Sequence, residues 1–414
     1  VQCHVPGEVV TVRRTVCSAC GGGGLDTFLD LGMSPIADAY TETSDRDVPM
    51  YPLELAVCED CHLVQLLEVL DSETLFGTGY SFYTSASPPL SIYLGRYAKT
   101  VLQQYGDLAR RFTVEIGCND GDLLRHFDAA GCPTLGIDPA TGPVDAARRR
   151  GLTVAATTFT AQAAQEMISQ GRPQPGLIIA NHVLAHVADV KDFLSGIATL
   201  LADDGVAIIE VQYLPDMLLN NSFDLVYHEH RNFFSLTSLE NAAQSVDLQV
   251  VDAQLTSRQG GSLRVVLGKG AQQTSGYVSV LRKSEEWLQD WSAYSGFQGR
   301  AERVATRLYG HLLNDNLGGG PIVGYGAPAK ATTLLNFCGI GDDILDYVID
   351  TTVAKQGRYI PGTGLEILAP SSPLLVDTFL LLAWNYAATI MRQEQEFLAR
   401  GGRWIIPFPA PMVI

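Results

Sequence analysis

Phe112-Thr-Val-Glu-Ile-Gly-Cys-Asn-Asp-Gly121 decides the fold. Its first five residues, mostly β-branched or aromatic, read as a buried strand, and the glycines that follow break it into a tight turn. Asp122 to Ala130 then reads as a helix, and Thr134-Leu-Gly-Ile-Asp138 as a second strand. A helix around Val144–Arg150 leads to further strands at Leu152–Ala155, Gly176–Asn181 and Gly205–Val211. Strand and helix in alternation predict a mostly parallel, doubly wound sheet. Leu248–Gln254 and Ser262–Leu267 are expected to add two more strands.

Working outward, a helical stretch from about Ser275 to Leu313 carries the chain to Gly318-Gly-Gly320, where the rhythm restarts. Ile322–Gly326, Ile344–Asp350, Thr378–Ala383 and Arg403–Pro407 predict a second, smaller α/β sheet. Residues before about 70 are short-patterned and turn-rich, too few to bury a core of their own. The division expected is 1–75, a metal module; 76–270, the larger α/β domain; and 271–414, the smaller one.

With 28 basic against 45 acidic residues in 414, the net charge is −17, which argues against nucleic acid or an anionic membrane surface as a partner. A local basic pocket for one small anion stays compatible with that charge. No apolar run reaches the ~18 residues of a membrane span. The Val1–Glu8 start lacks the basic and apolar regions of a secretory leader, so a soluble, cytoplasmic protein is expected.

Cysteine position carries more information than its number. Cys17-Ser-Ala-Cys20 and Cys58-Glu-Asp-Cys61 are two matched pairs separated by 37 residues. Each Cys-x-x-Cys turn offers two thiolates from one knuckle, and two turns complete a tetrahedral zinc site. All four positions are filled by protein, so the zinc is expected to be structural. No thioredoxin-like strand and helix surround either pair, which disfavours a redox reading.

The glycine-rich turn predicts a cofactor site. A dinucleotide fold would carry Gly-x-Gly-x-x-Gly here. This chain has Glu115-x-Gly117-x-x-x-Gly121, and an acid at Glu115 would repel a pyrophosphate while suiting a cation. S-adenosylmethionine, with its ammonium and sulfonium, fits. Glu115, Gly117, Asn119, Asp138 and Asn181 are the expected binding residues. Asp138 ends the second strand, where an acid accepts from ribose hydroxyls.

Tyr227-His-Glu-His230 concentrates titratable groups without the His-Glu-x-x-His spacing of a zinc protease. An imidazole is poised for proton transfer near neutral pH, and Glu229 could orient it and raise its pKa. His186, after the fourth central strand, could face the same cleft.

With these motifs in hand, the sequence resembles the bacterial sugar C-methyltransferases of antibiotic pathways. Glu115–Gly121, Tyr227–His230, Gly324-Tyr-Gly-Ala-Pro-Ala-Lys330 and Asp350–Arg358 carry the likeness across essentially the whole chain. The resemblance implies a zinc module, a central Rossmann-like class I methyltransferase domain and a C-terminal Rossmann-like α/β domain. It further implies a TDP-linked keto-deoxyhexose substrate, methylated beside its ketone with C-3 favoured over C-5. His230 would be the general base, with Glu229 and Tyr227 beside it and His186 and Tyr80 lining the sugar pocket. One departure is visible: Gln259-Gly-Gly stands where the family often has His-Gly-Gly, so Gln259 is not expected to do acid–base work.

A sugar diphosphate needs local positive charge. Lys330, Lys355 and Arg358, in turns of the second sheet, are the expected anchors. Two alternatives stand beside this reading. One is an NAD(P)-dependent oxidoreductase using the Gly324-Tyr-Gly326 turn, and the other a non-catalytic, zinc-containing nucleotide-binding scaffold.

Overall fold

The structure, a computed structural model, describes residues 11–76, 83–270, 272–370 and 376–414. Its centre is a seven-stranded sheet. Thr113–Ile116 lies between Thr134–Asp138 and Leu177–Asn181, all parallel, with Val154–Ala156 and Val206–Gln212 extending the two sides. Ser262–Lys269 and Leu248–Thr256 then add to one edge antiparallel.

Successive strand residues face opposite sides, and here both sides are covered. Leu177, Ile179, Val206 and Ile208 meet Leu94, Tyr97, Ala98 and Val101 of the helix Pro88–Arg111. Ile178, Ala180, Ala207 and Ile209 face the other layer, with Phe193, Leu194 and Ile197 of the helix Val190–Leu200. Each central strand is therefore predominantly apolar on both faces, which is why it was readable, and the few polar residues stand out against that background.

The N-terminal region is more ordered than its turn-rich sequence suggests. Leu25–Pro35, Met50–Cys58 and Val64–Leu66 form an antiparallel sheet. Register shifts between Thr27 and Leu29 and between Asp30 and Met33 interrupt the alternation that would have announced it. The fourth strand, Asn232–Phe233, comes from the segment directly after His230.

The helical stretch after Ser275 is also divided. Gly276–Ser284 ends at Glu285, and the long helix restarts at Phe297 and runs to Leu317. Glu285 turns its buried carboxylate toward the amides of Leu236 and Thr237, 2.8 Å from each, and so caps the helix Leu236–Gln244 instead of continuing its own.

The C-terminal sheet has six strands, with Ile322–Tyr325 between Tyr347–Ile349 and Thr378–Leu381 in parallel. One apolar core joins Phe28, Leu55 and Val64 of the N-terminal sheet to Leu334 of the helix Ala329–Cys338 and Leu380 of the C-terminal sheet, and includes Phe223 and Leu225. The N-terminal segment thus borrows the core it is too short to build.

Candidate active site

The turn after Thr113–Ile116 needs glycine in the physical sense. Gly117 holds φ +68°, and a Cβ there would meet Cγ2 of Val183 at 2.3 Å. Asn119 also takes positive φ, at 51°. Its amide donates to Asp138 Oδ2 and that of Ala140 to Oδ1, both at 2.8 Å, so Asp138 stitches the turn to the end of the second strand. The Asn119 side chain accepts from the Thr84 amide at 2.9 Å, holding the segment that follows Tyr80. Tyr80 itself lies outside the described residues. Glu115 is buried in the strand, and one of its carboxylate oxygens has no partner among the described residues. Burial, then the charge of Asp138, drives its pKa well above the ordinary range.

His230 is buried, with both ring nitrogens engaged. Nδ1 lies 2.9 Å from the carbonyl oxygen of Leu225, which can only accept, so Nδ1 carries the proton. Nε2 is then the basic nitrogen, and it accepts from the Tyr227 hydroxyl at 2.7 Å. His186 sits alongside, its ring centroid 5.1 Å from that of His230, and donates from Nδ1 to the carbonyl of Glu229 at 2.6 Å. Desolvation pushes His230 well below the usual histidine pKa and His186 to about 4. Both imidazoles are neutral at pH 7.

Here the expectation for Glu229 needs correcting. Its carboxyl does not orient His230; the Leu225 carbonyl does. The Glu229 side chain points instead toward Asp38, whose amide donates to Oε1 at 3.4 Å, while Oε2 has no partner among the described residues. Burial and the Asp38 charge push its carboxyl up to about 8, so Glu229 is neutral near pH 7 and can donate. The expected rise of the His230 pKa is accordingly reversed.

The four cysteine sulfurs all lie within 4.8 Å of one another. Cys17 and Cys61 are 3.5 Å apart and Cys20 and Cys58 3.6 Å, near the ~3.8 Å edge of a tetrahedron with Zn–S bonds of about 2.3 Å. The donor set fits zinc and has no position left for water.

The basic residues of the C-terminal sheet are placed differently from expectation. Lys330 is 7% exposed, donates to Asn385 at 2.8 Å, and stacks its ammonium 3.8 Å from the centre of the Trp384 ring. Its ammonium is engaged with the interior, facing Asp224 as well, which leaves it poorly placed to meet a phosphate. Lys355, half-buried, donates to the Ala327 carbonyl at 2.8 Å. Arg358 is half-buried on the loop beside it. The Ala327 amide that a dinucleotide's phosphate would need already donates to Asp350 at 2.7 Å. The oxidoreductase alternative thereby loses its phosphate site.

Residues 257–409 match the C-methyltransferase C-terminal domain family, 93–253 a methyltransferase domain family, and 17–76 a zinc binding domain family. C-methyltransferase NovU of Streptomyces niveus is 33% identical over 406 residues, covering 96% of each chain. The chain belongs to the C-methyltransferase family. Ubiquinone biosynthesis O-methyltransferase of Aeromonas salmonicida (strain A449) is 25% identical over 168 residues, 37% of this chain and 68% of that one. Among solved structures, magnesium protoporphyrin IX methyltransferase (ChlM) from Synechocystis PCC 6803 with bound SAH overlaps 44% of this chain and 83% of its own, at 15% identity and a TM-score of 0.36. That last likeness adds nothing to the assignment.

This C-methyltransferase uses S-adenosylmethionine and acts on a small molecule. Its zinc module is structural in donor set, and no helix among the described residues is long and apolar enough to cross a membrane. Asn181 lies where expected, at the end of its strand, half-buried. Two groups escaped the sequence reading. One is Asp38, contributed by the N-terminal region to Glu229. The other is buried Glu210, which accepts from Arg264 Nε at 2.8 Å and from His182 at 3.3 Å, one strand over from Asn181. An acid in an apolar strand, like Glu115, was the available signal for Glu210; Asp38 offers none.

Proposed function

We propose that this C-methyltransferase deprotonates the carbon beside the ketone of a TDP-linked keto-deoxyhexose and methylates it, at C-3 in preference to C-5, in the making of an antibiotic deoxysugar. The observation that carries the reading is the buried, neutral His230, with its basic Nε2 accepting from the Tyr227 hydroxyl. A C–H bond next to a ketone is acidified because its anion is an enolate, and a positioned base with a nearby proton donor suffices to form it. His230 takes the proton, directly once Tyr227 swings aside or through the Tyr227 hydroxyl. Neutral Glu229 supplies a hydrogen to the developing oxyanion. His186, its Nδ1 held by the carbonyl of Glu229, offers Nε2 to a sugar hydroxyl.

When bound, S-adenosylmethionine supplies an electrophilic methyl group on a sulfonium. Glu115 would face its cationic end, Asp138 its ribose, and Gly117 leaves room for its close approach. Asn119 and Asn181 would bound the same cradle. Lys355 and Arg358 would meet the diphosphate, and residues 1–75, 76–270 and 271–414 are taken as the three working units.

The deciding experiment incubates the protein with S-adenosylmethionine and a TDP-3-keto or TDP-4-keto deoxyhexose. The product should gain one methyl group on carbon, located by NMR. A product methylated on oxygen, or no turnover with either ketosugar, would refute the substrate assignment.

A further inference from the structure

His230 can act as a base only while Nδ1 keeps the ring proton, and that depends on the Leu225 carbonyl. Leu225 belongs to a single 3-10 turn, Phe223–Leu225, an element too short to hold itself rigidly. The side chains that hold it come from the C-terminal sheet and its helix. Trp384 donates from Nε1 to Asp224 Oδ2 at 2.6 Å. Thr333, on the helix Ala329–Cys338, donates to the carbonyl of Val226 at 2.9 Å. The residues before and after Leu225 are thus each tied to the C-terminal unit, and His230 is tied to Leu225 between them.

Asp224 is fully buried, its other oxygen accepts no hydrogen bond among the described residues, and the nearby Lys330 ammonium offsets part of the cost of its charge. Burying a carboxyl on those terms is costly, so its bond to the indole must return something. Thr333 and Val226 are likewise buried, which keeps water from replacing either tie.

We propose that Asp224 and Thr333 are positioning residues for His230, through which the C-terminal unit fixes the turn whose Leu225 carbonyl leaves Nε2 as the basic nitrogen. The proposal rests on His230 being the base. It assigns the C-terminal unit a part in the chemistry as well as in holding the substrate.

The test uses the full-length, zinc-loaded protein with 15N-labelled histidine, its His230 signals assigned by their loss in His230→Asn. Wild type should show a single neutral tautomer with hydrogen on Nδ1. Trp384→Phe combined with Thr333→Val removes both donors and should give mixed tautomers. In the same variant kcat should fall about ten- to hundredfold, the usual effect of losing a group that orients a reacting imidazole, with KM unmoved. Asp224→Asn, which keeps an acceptor for Trp384, should recover most of the activity lost in Asp224→Ala. Should Asp224→Ala fail to fold, the two donor variants decide the matter alone. An unchanged Nδ1–H tautomer and an unchanged kcat in the double variant would overturn the proposal. So would a loss of rate that merely follows the folded fraction. If His230→Asn still exchanges the substrate's α-proton, the base assignment is what fails, and the tautomer spectrum still reports separately on the positioning.

Discussion

The Tyr227 hydroxyl lies 2.7 Å from Nε2 of His230, on the one ring nitrogen that Leu225 leaves basic. The proposed base is therefore capped by its own neighbour. Substrate must either displace that hydroxyl or pass its proton through it. Only the second route makes Tyr227 part of the proton transfer.

His230→Asn should bind cofactor and sugar normally yet lose methyl transfer, because what is lost is a transition-state interaction. It should also fail to exchange the substrate's α-proton in deuterated water without cofactor. Tyr227→Phe should slow that exchange about a hundredfold or more if the hydroxyl relays the proton. Unaltered exchange in Tyr227→Phe would show that the hydroxyl is only displaced.

The pH–rate profile should differ from that of an exposed histidine. His230 is held well below its ordinary pKa by burial, so the acid limb should lie below ~6.5. Glu229, pushed up to about 8, should give an alkaline fall as its proton is lost. In Glu229→Gln, which cannot ionise, that alkaline fall should vanish from kcat/KM measured between pH 6 and about 9.

Stability should fall as the solution is acidified below ~6.5. His228 is fully buried and pushed by desolvation to about 4. Between its unfolded and folded pKa the unfolded chain binds a proton that the native state refuses, so stability declines as pH drops through that window. By pH 4 the loss from His228 alone should be on the order of 3 kcal/mol. Calorimetric Tm against pH should be flatter in His228→Gln; an equal slope would remove His228 from the account.

Metal analysis should find one zinc per chain, bound by Cys17, Cys20, Cys58 and Cys61. Cys58→Ser should unfold beyond the module itself. Cys17, Cys58 and Cys61 share an apolar core with Phe234, Leu236 and Leu239, a few residues after His230. A soluble, metal-free Cys58→Ser protein with full activity would contradict this.

Gly117→Ala should abolish cofactor binding by calorimetry while sparing the thermal transition more than a core mutation would. The added Cβ would strike Val183 at the turn proposed to hold the cofactor. Asp138→Ala should also weaken binding, both by losing a ribose acceptor and by releasing the turn at Asn119. Unchanged affinity in both would place the cofactor elsewhere.

The central sheet was legible because its strands are buried on both faces and so are apolar at most positions. The glycine turn was legible because φ near +68° at Gly117 demands it. The N-terminal sheet was not, because bulges at Leu29 and Met33 break its alternation and its fourth strand lies more than 160 residues away. Within the site, His230 and Tyr227 stood out by residue type. The group that sets the His230 tautomer is a backbone carbonyl, which no side-chain pattern can reveal. Lys330 misled for a related reason: a lysine after a glycine turn looks exposed until Trp384 and Asn385, over fifty residues on, close over it.

Asn232–Phe233, the strand that completes the N-terminal sheet, starts two residues after His230. For anyone recombining such enzymes, this fixes what can be exchanged. A chimera cut at the linear boundary near residue 76 would pair the Val64–Leu66 edge of one parent with the Asn232–Phe233 strand of another. A mismatch of one residue at that seam would shift the end of the catalytic segment by a residue's length along the strand. The unit of inheritance is therefore the zinc module together with the segment from Phe223 to Phe233, and grafts that keep the two from one parent are the ones expected to stay active.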